Sequence, residues 1–263
     1  MLTPHPRNCD FQWRRSRPPY VRLTEDQAAR YDSDGYFLFE NAFTEAEIDA
    51  VAAAIAPFER DAEERLRRAG GQISISKADA ITFTIHLAAR SEVLRAFSRH
   101  SVFAGICRDT LGPGARLYWD QAVFKKPGNP EEFPWHQDNG YTFIEPQQYL
   151  TCWAALTDAT LENGCPWVVP GLHRQGTFAH HLTLLGLQCL TDAPEAVPIP
   201  ARKGDIVVFS SLTPHRTGPN LTARTRQAYI LQYAPDGVLA FPRGAVEGVP
   251  QNDPDRQYFV EAP

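Results

Sequence analysis

The chain lacks any uninterrupted apolar stretch of the roughly 18–20 residues needed to span a bilayer, so no membrane partner is expected. Arg14-Arg15 is not followed by an apolar segment, so neither a Sec nor a twin-arginine signal is expected and the cytoplasm is the expected compartment. Positive charge is not in excess either: 26 Lys and Arg face 31 Asp and Glu, for a formal net charge of -5. Such a chain is a poor candidate for holding nucleic acid or an anionic surface by bulk charge. The five cysteines (Cys9, Cys107, Cys152, Cys165 and Cys189) contain no C-x-x-C pair. Neither a zinc ribbon nor a thioredoxin-like motif is therefore expected, and a disulfide framework is equally unexpected. Internal repeats, low-complexity tracts and a glycine-rich phosphate loop are also missing, which disfavours a Rossmann or P-loop nucleotide enzyme.

What is present is an ordinary globular composition, 43% hydrophobic and 22% charged over 263 residues, enough for a sizeable core. Residues 1–20, rich in proline and arginine, have no apolar period and read as a mobile or loosely docked arm. Residues 21–263 read as one domain. Thr24-x-x-Gln27 and Thr44-x-x-Glu47 fit the capping box and predict two helix starts. After the second, Ile48, Val51, Ile55 and Phe58 recur at helical spacing, and the pattern halts at Gly70-Gly71. The acidic run Glu59–Glu64 reads as a solvated face of that helix. Between the boxes, Gly35 followed by Tyr36–Phe39 predicts a short strand, and Ser91–Leu111 predicts one further helix.

From Ala115 onward the texture changes to short β-like runs: Arg116–Lys125, Gln148–Leu156, Trp167–Val169, Ala196–Ile199, Ile206–Phe209 and Gln227–Tyr233. Turn residues separate them, as in Lys126-Pro127-Gly128 and Asn163-Gly164. Helices first and closely spaced strands later predict an α+β fold with a sandwich or barrel core.

The chemistry concentrates in a few of these runs. In Pro134-Trp135-His136-Gln137-Asp138, residues i and i+2 of an extended segment would project the His136 imidazole and the Asp138 carboxylate together. His215, after the apolar run Ile206–Phe209, can supply the third group of a two-histidine, one-carboxylate triad, which suits non-haem Fe(II). A closed structural zinc site would want four protein ligands. Arg226 opens the last run and is placed to grip a carboxylate bidentately, with Arg224 the next candidate. His173 reads as a structural hydrogen-bonder rather than a ligand. His180 and His181 are adjacent and cannot both ligate from one side.

These segments together resemble the phytanoyl-CoA dioxygenase family. The resemblance is carried by His136-Gln-Asp138 with Tyr141, Glu162-Asn-Gly-Cys165, Val169-Pro170-Gly171-x-His173, and His215 followed by Asn220-x-Thr222 and Arg226. With Asp34-Gly35-Tyr36 it covers roughly residues 24 to 235. It implies a double-stranded β-helix (a cupin-like jelly roll) buttressed by the N-terminal helices, with Fe(II), 2-oxoglutarate and O2. On this resemblance the metal triad falls on His136, Asp138 and His215, and the 2-oxoglutarate arginine on Arg226. Gln121 and Lys126 match positions that help bind the co-substrate, with Lys125 competing for the second. Leu172 and Arg216-Thr217 depart from the serine and Gly-Ser common in the family. Trp135, Tyr141 and Trp153 are candidate walls of an apolar substrate pocket. The expected activity is oxidation, by hydroxylation first, of a small organic molecule, with a cupin-like Mn or Zn isomerase or hydrolase as the alternative. No strongly basic cluster near the motifs points to the phosphates of CoA, which favours a smaller or apolar substrate.

Overall fold

Both capping boxes close in the computed structural model, which describes residues 2–260. Thr24 caps α1 (Glu25–Asp34) and Thr44 caps α2 (Glu45–Arg68), each side chain accepting the backbone N–H three residues on. Gly35 ends α1 in the left-handed region at φ 84, where a Cβ would lie 2.5 Å from both the His173 ring and the Thr213 hydroxyl. The helix predicted over Ser91–Leu111 is two helices, α3 (Glu92–Ser98) and α4 (Ser101–Thr110). The break falls where His100 takes an extended conformation and its Nδ1 accepts the N–H of Val102, a capping bond that restarts the helix.

Strands alternate between two antiparallel sheets. The chain runs from Ala115–Lys125 in the large sheet to Phe133–His136 in the smaller one, then back to Leu150–Ala155. It crosses again to Pro166–Val168 and Val197–Pro198, returns to Ile206–Ser210, crosses to His215–Thr217 and ends the circuit at Arg226–Pro235. Period-2 alternation sorts the core. Leu150, Cys152, Val208, Leu231 and Tyr233 pack against the helices with Tyr31, Ile48 and Phe103. Their neighbours Trp153, Ala155, Val207, Phe209 and Ala228 face the smaller sheet and Val168. Leu150–Ala155 is buried on both faces and accordingly has a single polar residue, Thr151, in place of a strict apolar–polar alternation.

The large sheet is extended by a meander of Gln72–Ile73, Ser76–Lys77 and Ile81–Ile85, beyond the expected strand set. A hairpin, His181–Thr183 with Gly186–Gln188, lies within the long 172–196 connection. The expected solvated acidic face is only partly so: Glu59 and Glu63 are buried, and both pair with Lys126. Residues 3–14 are held by hydrogen bonds: His5 N donates to Thr177 O (2.8 Å), Ala179 N to Thr3 O (2.7 Å), and Arg14 N to Gln148 Oε1 (3.1 Å). Among the described residues no helix is long and apolar enough to cross a membrane.

Candidate metal centre

In the smaller sheet His136 and His215 are directly paired across neighbouring strands, which brings their ring centroids to 4.1 Å. Asp138 opens a 3-10 turn (Asp138–Gly140) instead of continuing the strand, yet its carboxylate still reaches the imidazoles. Asp138 Oδ1 lies 3.9 Å from His136 Nε2 and 3.7 Å from His215 Nε2, and the three donor atoms fall within 4.8 Å of one another. Bonds of about 2 Å from one ion can bridge such histidine–aspartate separations.

The imidazoles are oriented from behind. His136 Nδ1 is 2.8 Å from Pro134 O and His215 Nδ1 is 3.0 Å from Thr213 O. A carbonyl only accepts, so each Nδ1 carries the proton and each Nε2 turns a lone pair toward Asp138. Burial holds both rings neutral, pushing His136 down to about 3 and His215 down to about 4. Burial also raises the Asp138 pKa, opposed by His136 and by hydrogen bonds from Thr151 (2.5 Å to Oδ2) and Gln232. Two neutral imidazoles and a desolvated carboxylate form a donor set that a divalent cation would satisfy.

Gln137, between His136 and Asp138, is buried and ties down the same turn. Its amide donates to Gly176 O and Leu212 O, and its Oε1 accepts from Phe178 N. Its backbone N–H donates to His180 Nε2 at 2.9 Å. His180 thus supports the turn from outside, while His181 is exposed in the hairpin. His173 is buried with its ring edge-on to Trp13 at 4.4 Å, away from the cluster.

Arg226 begins its strand and is fully buried at 0% exposure. Its guanidinium stacks over Trp153, 5.2 Å from the ring centre, and none of its three nitrogens has a hydrogen-bond partner among the described residues. Burial lowers its pKa to about 10. A buried guanidinium with its donors unused is an unmet demand for an anion, and a carboxylate would meet it bidentately. Arg226, His136, Asp138 and His215 line one cavity of about 720 Å3. The residues present therefore fit both an iron ion and a 2-oxo dicarboxylate.

The other expected residues divide. Gln121 and Trp153 line this cavity, as does Tyr141, whose ring stands perpendicular to His136 at 5.4 Å. The Tyr141 hydroxyl accepts the N–H of Leu187 in the hairpin. Lys126 is not brought to the cavity: it follows the last residue of the strand and is paired with Glu59. Lys125, on the face of Gln121 and Val123, is buried opposite Arg226, and burial with the Arg226 charge lowers it to about 7. Its ammonium donates to the carbonyls of Glu131 and Gly218. Trp135 is also turned away, adjacent to His136 in its strand and covered by the Arg216 guanidinium at 5.0 Å. Thr151 and Gln232, which hold Asp138, were outside the expected set. Thr151 shares a strand face with Trp153, so the alternation that selects one selects the other.

Known proteins resemble this chain in sequence and in fold. The family model described as phytanoyl-CoA dioxygenase matches residues 31–228. A methylphosphonate hydroxylase of Gimesia maris is 30% identical over 231 residues, 80% of each chain. An ectoine dioxygenase of Bordetella parapertussis is 26% identical over 265 residues, covering 90% of this chain and 84% of its own. Among solved structures, the apo form of the non-haem monooxygenase ThoJ superposes with a TM-score of 0.71 at 22% identity, over 90% of this chain and 84% of its own. EctD of S. alaskensis with 2-oxoglutarate and 5-hydroxyectoine superposes at 0.71 and 20% identity, over 95% and 92%. The fold is theirs, and the chain belongs to the phytanoyl-CoA dioxygenase family.

Proposed function

We propose that the protein hydroxylates a small organic metabolite, using 2-oxoglutarate and O2 and releasing succinate and CO2. The enzyme class, a non-haem Fe(II)/2-oxoglutarate-dependent dioxygenase, follows from the family. Residues 21–263 act as one catalytic domain, with 1–20 as its N-terminal arm. We read the two facing antiparallel sheets as a double-stranded β-helix, the jelly roll that the strand circuit describes. The observation that carries the proposal is the buried, unpartnered guanidinium of Arg226 in the cavity of the His136, Asp138 and His215 cluster.

In this reading His136 and His215 offer their Nε2 lone pairs to iron, and Asp138 supplies the third ligand and a charge. Thr151 and Gln232 fix the carboxylate so that it presents Oδ1 to the ion. Arg226 grips the distal carboxylate of 2-oxoglutarate, with Trp153 holding the guanidinium plane and Gln121 lining the same wall. When bound, iron and 2-oxoglutarate supply O2 activation, coupling decarboxylation to succinate with oxygen transfer to a substrate C–H bond. Phe133, Phe209 and Tyr141 keep the surrounding wall apolar and exclude water from it.

An isomerase or hydrolase using Mn or Zn on the same triad would have no need of Arg226. Turnover with a metabolite library in labelled O2 separates the readings. A product gaining one labelled oxygen with stoichiometric succinate supports the dioxygenase, and a product formed without O2 or 2-oxoglutarate overturns it.

A further inference from the structure

The cavity is far larger than the metal and co-substrate require. At about 720 Å3 it lies in the range of sites for drug-sized ligands, roughly 300–1,000 Å3. A substrate of two or three carbons would leave most of this space to water. Beyond the paired strands of the circuit, it is lined by α2 and by the meander that extends the large sheet. Along α2, Phe58, Asp61, Ala62 and Arg65 share one helix face by their i, i+3, i+4, i+7 spacing, and all four line the cavity. From the meander strand Ile81–Ile85 come Ile81, Phe83 and Ile85, alternate residues on one face. Trp119, Phe133 and Tyr141 complete an aromatic chamber next to His136.

The charged and ligating residues lining this chamber divide by exposure. Arg226, His136 and His215 are buried, and with Asp138 are already assigned. Arg65 and Arg90 are exposed, against a single exposed carboxylate, Asp61. This local surplus of positive charge sits on a chain whose net charge is -5. Other arginines of the same helix are committed: Arg67 pairs with Asp79 and Arg68 with Glu64. Arg65 and Arg90 have no ion pair among the described residues. Arg90 is instead laid over the Phe58 ring at 4.4 Å, which aims a cation along the chamber wall.

We infer that the substrate is an amphiphilic organic anion, with an apolar body in the aromatic chamber and a carboxylate or phosphate held by Arg65 and Arg90 at the mouth. The inference rests on the dioxygenase reading of the same cavity and names its substrate class. The anion is anchored on exposed arginines while the metal-binding histidines are buried, so the oxidised carbon belongs to the apolar body. There a C–H bond breaks and a C–O bond forms. One atom of O2 enters the product hydroxyl and the other enters succinate as 2-oxoglutarate loses CO2.

The test is equilibrium binding to the full chain loaded with Ni(II) and 2-oxoglutarate, which permits no turnover. Four fluorescent probes share one apolar body: 1-pyrenebutyrate, 4-(1-pyrenyl)butyl phosphate, 1-pyrenebutanol and 4-(1-pyrenyl)butyltrimethylammonium. At least one of the two anions should bind about tenfold or more tightly than the alcohol and the cation, and the tighter anion identifies the head group. Arg65→Gln with Arg90→Gln should shrink that preference to within about threefold, with 2-oxoglutarate affinity as the control for folding. Phe83→Ala should weaken all four probes in parallel. Equal binding of the alcohol or the cation, or a preference surviving the double substitution, overturns the inference. Failure of the dioxygenase reading would show separately, as failure of Ni(II) and 2-oxoglutarate to bind.

Discussion

Arg226 and Trp153 stand on neighbouring strands of the large sheet, with the guanidinium carbon 5.2 Å from the centre of the indole ring. The ring steadies the cation from one side but accepts none of its five N–H bonds in the plane. The donors are left for a ligand. Arg226→Ala should weaken 2-oxoglutarate binding by roughly 2–3 kcal/mol, about 30- to 150-fold, with Fe(II) affinity changed less than about threefold. Arg226→Lys should recover only part of the loss, because a point charge does not reproduce the planar fork. Calorimetric titration of 2-oxoglutarate into the metal-loaded variants checks both.

Metal affinity should depend on the residues behind the ligands as well as on the ligands. His136→Ala or His215→Ala should abolish turnover through lost iron. Thr151→Val removes the 2.5 Å bond to Asp138 Oδ2 while keeping side-chain volume, and should lower metal affinity about 10- to 100-fold. Competition against a chelator of known affinity reads this directly. Unchanged iron content in Thr151→Val would contradict the supporting role.

His180 should behave as a positioning residue for the turn that carries both ligands. His180→Ala leaves the Gln137 N–H without its acceptor, a cost of about 1–3 kcal/mol for a buried donor. Gly140→Ala should be comparably damaging, since its Cβ would fall 2.1 Å from the His180 ring. Both variants should show a lower Tm and succinate formation poorly coupled to product. His180→Gln can restore an acceptor and should recover part of the coupling.

Acid should destabilise the metal-free protein across a defined window. Burial lowers His173, His180 and His215 to about 4 and His136 to about 3, against 6.5 for the free side chain. Between these values the unfolded chain binds more protons than the folded one, so stability rises with pH there. It is at its full value above about 6.5 and falls as the pH drops toward 4. Each such histidine contributes a slope of up to about 1.4 kcal/mol per pH unit. Urea unfolding at intervals from pH 7.5 to 4.5 checks the sign, and a stability rising on acidification would contradict it.

The clustering of His136, Asp138 and His215 was legible because residue type and order carry it: a His-x-Asp and a histidine after an apolar run survive any detail of register. The helix caps were legible for the same reason, since Thr24 and Thr44 act within four residues. What sequence alone obscured depends on parity or on distant partners. Lys126 matched the motif position, yet strand alternation from Gln121 puts Lys125 inside, and Lys126, just past the strand end, meets buried Glu59. Trp135 fails by the same parity, next to His136. Glu59 and Glu63 look solvated until Lys126 comes from a remote strand to pair with them. The meander over residues 72–85 consists of very short strands in which apolar and polar residues alternate, as in Ile81-Thr82-Phe83-Thr84-Ile85, with no continuous apolar run to mark it, and it lines the cavity.

The central claim is that the three ligands and Arg226 form one Fe(II)/2-oxoglutarate site. Anaerobic addition of Fe(II) and then 2-oxoglutarate, followed by visible absorption, tests it most directly. The account predicts a weak metal-to-ligand charge-transfer band that saturates with 2-oxoglutarate, needs a far higher concentration in Arg226→Ala, and is absent in His215→Ala. No band in the native protein, or one of unchanged strength and midpoint in both variants, would contradict it.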